Sequence, residues 1–192
     1  MKLLRLKLGV PFRSLAADFE VHFLREWDQE HCFEFHPYCL AGRNGSGKSN
    51  VLEALAAIFY HIECIYLDYR PDGFEFDEAT NPHGFRAECC RPDAFELEYL
   101  VPEDRGFSPS TTYGGTDAGR VLISKKAGES PIMQWFGRVP DGEEVPLEVS
   151  GRERRKYLPK YIIGYSSGHN EILSLPFFKM RFIHFDEYRD HL

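Results

Sequence analysis

The sequence predicts an α/β fold, and three features lead to that prediction. A short apolar run, Tyr38–Ala41, leads directly into a glycine-rich segment at Gly42–Gly47, as a central buried strand does before a turn. After Lys48 the apolar residues adopt helical spacing, at Val51, Leu52, Leu55, Ile58, Phe59 and Ile62. Several other segments alternate apolar and polar residues, which is typical of strands with one buried face. A strand, a glycine turn and a helix in this order indicate an α/β unit.

The composition indicates one globular domain spanning residues 1–192. This length is ordinary for a single domain, since domains usually have about 100–200 residues. Hydrophobic residues make up 43% and aromatic residues 15%, which excludes a disordered or fibrous chain. The net charge is −7, which excludes a globally basic protein that coats nucleic acid but not a local basic patch. The sequence offers no run of about 18 apolar residues and no cleavable leader, so we expect no contact with a membrane. Five cysteines without C-x-x-C spacing favour a reduced, cytoplasmic location.

The other elements are predicted from alternation and from turn residues. Strands with one buried face are expected near residues 3–8, 19–23, 95–101, 121–125 and 132–139. A helix is predicted over 48–68, because neither Gly nor Pro interrupts that stretch. Turn-forming dipeptides predict a loop or insertion at 71–91, and clustered glycines predict a flexible loop at 102–120. Tyr161–Tyr165 is the last candidate for a buried strand, and a helix capped by Ser174 is expected after it.

The glycine-rich segment carries the chemistry. Gly42-Arg43-Asn44-Gly45-Ser46-Gly47-Lys48-Ser49 fits G-x-x-x-x-G-K-[ST], the phosphate-binding P-loop. Glycines let the backbone turn its N–H groups inward, and the following helix directs its positive end to the same point. Lys48 is then expected to reach the β- and γ-phosphates of ATP, and the Ser49 hydroxyl to bind Mg²⁺. The flanking apolar run and amphipathic helix favour this interpretation over a glycine-rich turn with an exposed lysine.

The residues around the motif show a resemblance to a known family. The stretch GRNGSGKSNVLEALAAIF resembles the P-loop of the ABC-type ATPases that act on DNA, namely the SMC proteins and RecF, in Asn44, Asn50, Glu53 and Ala54. The opening strand followed by Phe12-Arg13-Ser14 is similar to the start of the same group. The segment LPKYIIGYSSGHNEILSLPF is similar to prokaryotic AAA family ATPases associated with restriction systems and phage defence.

This resemblance implies a P-loop NTPase of the ABC-ATPase head type, with a mainly parallel core sheet and an antiparallel β layer. It implies that Arg13 and Ser14 approach the phosphates or the base of ATP, and that Asn50 belongs to the same site. Two heads would form an ATP-dependent homodimer around two bound ATP molecules. Hydrolysis of Mg-ATP would then drive a DNA-linked process in restriction, phage defence or repair, with DNA and a partner nuclease as partners.

The end of the chain allows two interpretations. In the first, Ser166-Ser167-Gly168 is the signature motif, and Asp186 and Glu187 end a Walker B strand and are the catalytic candidates. In the second, Tyr161–Tyr165 is a central strand and Ser166–Glu171 is a loop at the nucleotide site. We favour the second, because Tyr161–Tyr165 has a strand pattern where the first interpretation needs a helical subdomain. It predicts an incomplete head, whose signature and Walker B motifs lie beyond Leu192 or on another chain.

Two other functions remain open. The chain could bind nucleotide without hydrolysis, as an interaction switch, or it could be a small-molecule kinase, since kinases share the P-loop. Asn44, Asn50 and the Phe12–Ser14 opening favour the DNA-linked ATPases over a kinase. The basic run Arg152–Lys156 fits contacts with DNA phosphates, but a solvated hairpin end is the favoured interpretation.

Overall fold

A computed structural model of the chain describes residues 1–24, 37–67, 70–102, 111–113, 116–138, 144–149 and 154–163. These ranges contain seven strands and two helices. The strands are β1 (Lys2–Leu8), β2 (Glu20–His22), β3 (Phe95–Pro102), β4 (Thr111–Tyr113), β5 (Thr116–Lys125), β6 (Ile132–Arg138) and β7 (Glu144–Glu148). The helices are α1 (Lys48–Ile65) and the single turn α2 (Arg154–Tyr157).

The strands form one sheet, in which paired strands run antiparallel. Their order is β2-β1-β3-β5-β6-β7, and β4 pairs with β5 beside this path. The register places Leu6 opposite Leu97, Leu97 opposite Ile123, and Ile123 opposite Met133. All four side chains are buried. The alternation seen in the sequence therefore produces a continuous apolar row across the sheet, on the face that α1 covers.

Helix α1 supplies the other half of the core. Six of its buried residues follow helical spacing and belong to the same hydrophobic cluster as the inner face of the sheet, namely Val51, Ala54, Leu55, Ile58, Phe59 and Ile62. Ile58 and Ile62 are almost fully buried, and the Phe59 ring centroid lies 6.1 Å from that of Tyr99 on β3. The helix ends at Ile65, where the N–H of Tyr66 donates to the carbonyls of Ile62 and Glu63. The packing of α1 on the sheet fixes where the helix begins, and so where the glycine-rich segment lies.

The outer face of the sheet is charged. Arg5 on β1 donates to the carboxylates of Glu96 (2.5 Å) and Glu98 (2.6 Å) on β3, and Arg120 on β5 reaches Glu98 at 3.2 Å. The guanidinium of Arg120 also stacks over the Phe136 ring, 3.9 Å from its centroid. This face also carries a small apolar cluster around Leu100 and Ala118, so the alternation of apolar and charged residues holds along only part of these strands.

Most predicted elements are confirmed. The strands expected at 95–101, 121–125 and 132–139 correspond to β3, β5 and β6, and the helix expected from Lys48 is α1. The strand expected at 19–23 is the short β2. No helix among the described residues is both long and apolar enough to cross a membrane. Ser166–Gly168, the helix after Ser174, Asp186 and Glu187 lie outside the described residues.

Two predicted buried strands are not seen. Residues 37–43 form neither helix nor strand, and Tyr38 is exposed, with its hydroxyl donating to the carbonyl of Leu3 at 3.4 Å. Both sides of β1 are paired, with β2 and with β3, and among the described strands none pairs with this apolar run. In the last candidate, residues 161–163 are not in a strand, and Ile163 is 91% exposed.

Part of the loop predicted over 102–120 is strand instead, and residues 103–110, 114 and 115 lie outside the described residues. Thr111–Tyr113 form β4, and residues 116–120 are the first half of β5. Threonine and tyrosine favour strands, and the two residues that separate β4 from β5 are glycines, a dipeptide typical of two-residue hairpin connections. Gly119 lies within β5. A Cβ atom there would be 2.7 Å from Nε1 of Trp135, so this position requires glycine. Because glycine has no side chain, Trp135 can pack closely against the backbone here. This glycine therefore does not mark a flexible loop.

Every ladder between the named strands is antiparallel. The described residues therefore show a helix packed on an antiparallel sheet, and they do not show a P-loop NTPase fold. The mainly parallel core sheet of the ABC-ATPase head type remains a prediction.

The segment between α1 and β3 is attached to the helix through a buried histidine. His61 is 7% exposed, and its Nε2 lies 2.8 Å from the carbonyl oxygen of Ala87. Its ring packs on Phe85, with the two centroids 4.8 Å apart. Burial lowers the pKa of His61, with the nearby positive charge of Lys125 adding to the effect against the opposing hydrogen bond to Ala87.

We expect stability to depend on pH through His61. Because its pKa is lower in the folded protein, the unfolded chain binds more protons below the ordinary histidine value of about 6.5. Neutral His61 therefore contributes to the free energy of unfolding above that pH, and this contribution is lost as the pH falls below it. His61→Gln keeps a hydrogen-bond donor but does not titrate, so its free energy of unfolding should fall less between about pH 7 and pH 5. Urea denaturation across this range measures the difference, and equal slopes for the two proteins would contradict it.

Candidate phosphate-binding site

The glycine-rich segment forms a tight turn that ends in α1. The N–H of Ser46 donates to the carbonyl of Arg43 at 3.2 Å, and the N–H of Val51 donates to the carbonyl of Gly47 at 3.0 Å as the first hydrogen bond of the helix. Gly45 and Gly47 both have left-handed backbones, with φ of 83° and 88°. A residue with a Cβ atom rarely adopts this conformation, so the glycines of the motif have a local geometric role.

Gly47 has a second role, because it lies against a separate part of the chain. A Cβ atom at this position would be 2.6 Å from Cδ2 of Leu15 and 3.3 Å from Oγ of Ser14. Leu15 is buried, at 4% exposure, and belongs to the main hydrophobic cluster. The end of the loop is therefore held against the core through a contact that only glycine permits.

The Lys48 side chain folds back over the loop. Its Nζ donates to the carbonyl oxygens of Gly42 and Arg43, both at 2.8 Å. An ammonium group has three N–H donors, and these carbonyls accept two of them. The positive charge of Lys48 therefore lies over the turn formed by the motif.

The start of α1 lacks the groups that usually stabilise a helix N-terminus. Its N-cap residue is Gly47, which has no side chain to accept a hydrogen bond, and its first turn contains no acidic residue. The first helical residue is instead Lys48, whose charge opposes the positive end of the helix dipole. Ser49 follows and is exposed. A bound anion would satisfy both the first N–H groups of α1 and the lysine.

A short turn from the N-terminal part of the chain packs beside the loop. Phe12 and Leu15 exchange two backbone hydrogen bonds, of 3.0 and 2.9 Å, and enclose Arg13 and Ser14. The amide of Asn50 donates to Oγ of Ser14 at 2.6 Å. Arg13 donates from Nε (3.0 Å) and Nη2 (2.8 Å) to Oε1 of Glu53. Two side chains of α1 thus hold this turn beside the glycine-rich loop.

The structure brings the described candidate residues to one place. Gly42 to Asn50 form the loop and the first turn of α1, and Arg13 and Ser14 lie beside it. Arg43 and Asn44 are exposed. Ser14 and Asn50 are hydrogen-bonded to each other, so both hydroxyl and amide already have a structural partner. The catalytic candidates Asp186 and Glu187 lie outside the described residues.

Sequence reasoning assigned no site role to Glu53. The available signal was an acidic residue within the apolar spacing of α1, where it is 9% exposed. A carboxylate at such a position requires a charged or hydrogen-bonding partner, because burying an unpaired charge is costly. The sequence indicates that Glu53 needs such a partner. It does not indicate that the partner is Arg13, which lies 40 positions earlier.

Comparisons with protein-family models, with curated proteins and with solved structures give no significant match to this chain.

Proposed function

We propose that this chain binds Mg-ATP through the loop Gly42–Ser49. The observation that carries the proposal is the start of α1, where a glycine N-cap, an absence of acidic residues and Lys48 at the first helical position coincide. Without an anion, this arrangement places a cation against the positive end of the helix dipole. A phosphate chain would accept hydrogen bonds from the first N–H groups and from Lys48 together.

The residues present also fit a magnesium ion that accompanies the nucleotide. Ser49 is exposed and follows Lys48 directly, so its hydroxyl oxygen is available as a ligand next to the phosphate position. Magnesium at such sites usually takes few protein ligands and completes its shell with phosphate oxygens and water. When bound, it would neutralise part of the negative charge on the phosphates.

We further propose that hydrolysis takes place in a complete dimeric assembly and drives a DNA-linked process, as the resemblance to SMC and RecF ATPases implies. Hydrolysis needs a carboxylate that polarises the attacking water. Glu53, the acidic residue of α1 nearest the loop in sequence, is engaged by Arg13 in two hydrogen bonds. We therefore propose that the catalytic carboxylate is another group, either Asp186 or Glu187, or one that lies beyond Leu192 or on another chain.

The binding step is tested with Lys48→Ala. We expect the dissociation constant of Mg-ATP, measured by titration calorimetry, to rise at least about thirtyfold, since charge-assisted hydrogen bonds contribute about 2 kcal/mol or more. Lys126→Ala is the matched control, because Lys126 is exposed and lies at the end of β5, away from the motif. Equal affinities of the wild type and Lys48→Ala would contradict the proposal.

The hydrolysis step is tested with Glu187→Gln. Turnover by this chain that both Lys48→Ala and Glu187→Gln abolish would place the catalytic residues within it. Binding that depends on Lys48 without turnover would support the second interpretation of the tail, in which another chain or segment completes the site. If the complete assembly binds ATP and still does not hydrolyse it, the protein would instead be identified as a nucleotide-dependent switch.

A further inference from the structure

Glu53 and Arg13 form an ion pair at the edge of the proposed phosphate site. The Glu53 side chain is 12% exposed and that of Arg13 is 55% exposed, with Nη2 and Oε1 2.8 Å apart. Both Nε and Nη2 of Arg13 donate to the same oxygen, Oε1. The carboxylate is therefore the fixed partner, and the guanidinium extends from it towards solvent. The Arg13 guanidinium has five N–H donors. Two of them bind Glu53, and three remain for other acceptors.

The backbone at Arg13 is held in an uncommon conformation. Its φ is 54°, in the left-handed region that residues with a Cβ atom seldom occupy. Such a conformation persists only where surrounding contacts enforce it. Here the enforcing contacts are the hydrogen bonds of Glu53 and Asn50 and the packing of Leu15 on Gly47. All three partners of the turn belong to the loop or to the first two turns of α1.

We infer that Glu53 is a positioning residue for phosphate recognition. It holds the Arg13 guanidinium against α1, in a turn whose Ser14 lies next to Gly47, and the three remaining N–H donors would serve the phosphate chain of the nucleotide. This inference deepens the proposed function and rests on it. Arg13 would be the contact with the phosphates, and Glu53 would act only through Arg13. The ligand group recognised is the phosphate chain itself, independent of base and sugar.

Binding of inorganic tripolyphosphate and of Mg-ATP to variants of the whole chain tests the inference. Glu53→Ala and Arg13→Ala should each weaken tripolyphosphate binding about tenfold. The double variant should also lose about tenfold rather than about a hundredfold, because both changes remove one contact. Glu53→Gln keeps the acceptor oxygen but not the charge, so it should show a smaller loss. It also carries the test if Glu53→Ala does not fold.

The charge-swapped variant R13E/E53R separates positioning from simple stabilisation. We expect it to recover the thermal unfolding midpoint that Glu53→Ala loses, since an ion pair is present again. It should not recover tripolyphosphate binding, since the guanidinium is no longer on the turn. Glu75→Ala is the matched control, because it removes one negative charge from the Arg70–Glu75 pair outside the site. It should bind tripolyphosphate like the wild type.

Three results would overturn the inference while leaving the proposed function intact, provided that the wild type binds in a Lys48-dependent manner. These are unchanged binding in Glu53→Ala, additive losses in the double variant, and wild-type binding by R13E/E53R. Wild-type protein that shows no Lys48-dependent binding would instead remove the proposed function, and the inference with it.

Discussion

Replacing Gly47 by alanine is expected to lower both the stability of the protein and its affinity for Mg-ATP. The new Cβ atom would lie 2.6 Å from Cδ2 of Leu15, a distance that requires one of the two groups to move. The left-handed φ of 88° adds a conformational cost. A left-handed residue costs about 1–2 kcal/mol and overpacking about 1–3 kcal/mol, so the free energy of unfolding should fall by about 2–5 kcal/mol. Urea denaturation and titration with Mg-ATP measure the two effects.

Gly128→Ala is the matched control for the conformational part of this effect. Gly128 has a φ of 74°, and a Cβ atom there would meet nothing within 4 Å. It should therefore lose only about 1–2 kcal/mol and keep the nucleotide affinity of the wild type. The variant G47A/L15A should regain part of the Mg-ATP affinity, since it removes the clash. Equal behaviour of Gly47→Ala and Gly128→Ala in both measurements would show that the contact with Leu15 does not hold the loop.

Tyr99→Ala should be among the most destabilising substitutions in the core. The side chain is fully buried, its ring packs on Phe59, and its hydroxyl donates to the carbonyl of Tyr157 at 3.1 Å. Removing a large buried side chain leaves a cavity, and aromatic-to-alanine changes cost about 3–5 kcal/mol. The free energy of unfolding in urea measures the loss.

Tyr99→Phe is the control, because it removes the hydroxyl and keeps the ring. It should cost about 1 kcal/mol, the usual contribution of one hydrogen bond. A loss of less than about 1 kcal/mol for Tyr99→Ala would mean that α1 does not pack on this face of the sheet. The position of the loop at the start of α1 would then need another explanation.

The predictions that held depend on patterns a few residues long. The period of the apolar residues identified α1 and strands β3, β5 and β6, because a helix or a strand repeats over a span shorter than the element itself. The glycine spacing likewise predicted a turn whose left-handed residues are Gly45 and Gly47. These features depend on local backbone geometry, which neighbouring residues largely decide.

The predictions that failed concern partners rather than local shape. Tyr38–Ala41 has the composition of a buried strand, but a strand also needs a partner strand, and among the described residues none pairs with this run. Gly119 was assigned to a loop, although it lies in a strand where Trp135 approaches closely. In both places the outcome depended on residues outside the segment itself.

The sequence by itself determined the motif, the helix that follows it and the alternation of the strands. The resemblance predicted that Arg13 and Ser14 approach the motif, but only the tertiary structure decided which side chains of α1 hold that turn, Asn50 for Ser14 and Glu53 for Arg13. The physical reason is the kind of information that each feature needs. Periodicity shows which side of an element is buried, whereas the contact partner depends on how elements distant in sequence pack together. The pair of Arg13 and Glu53, 40 positions apart, exists only after α1 has docked on the sheet.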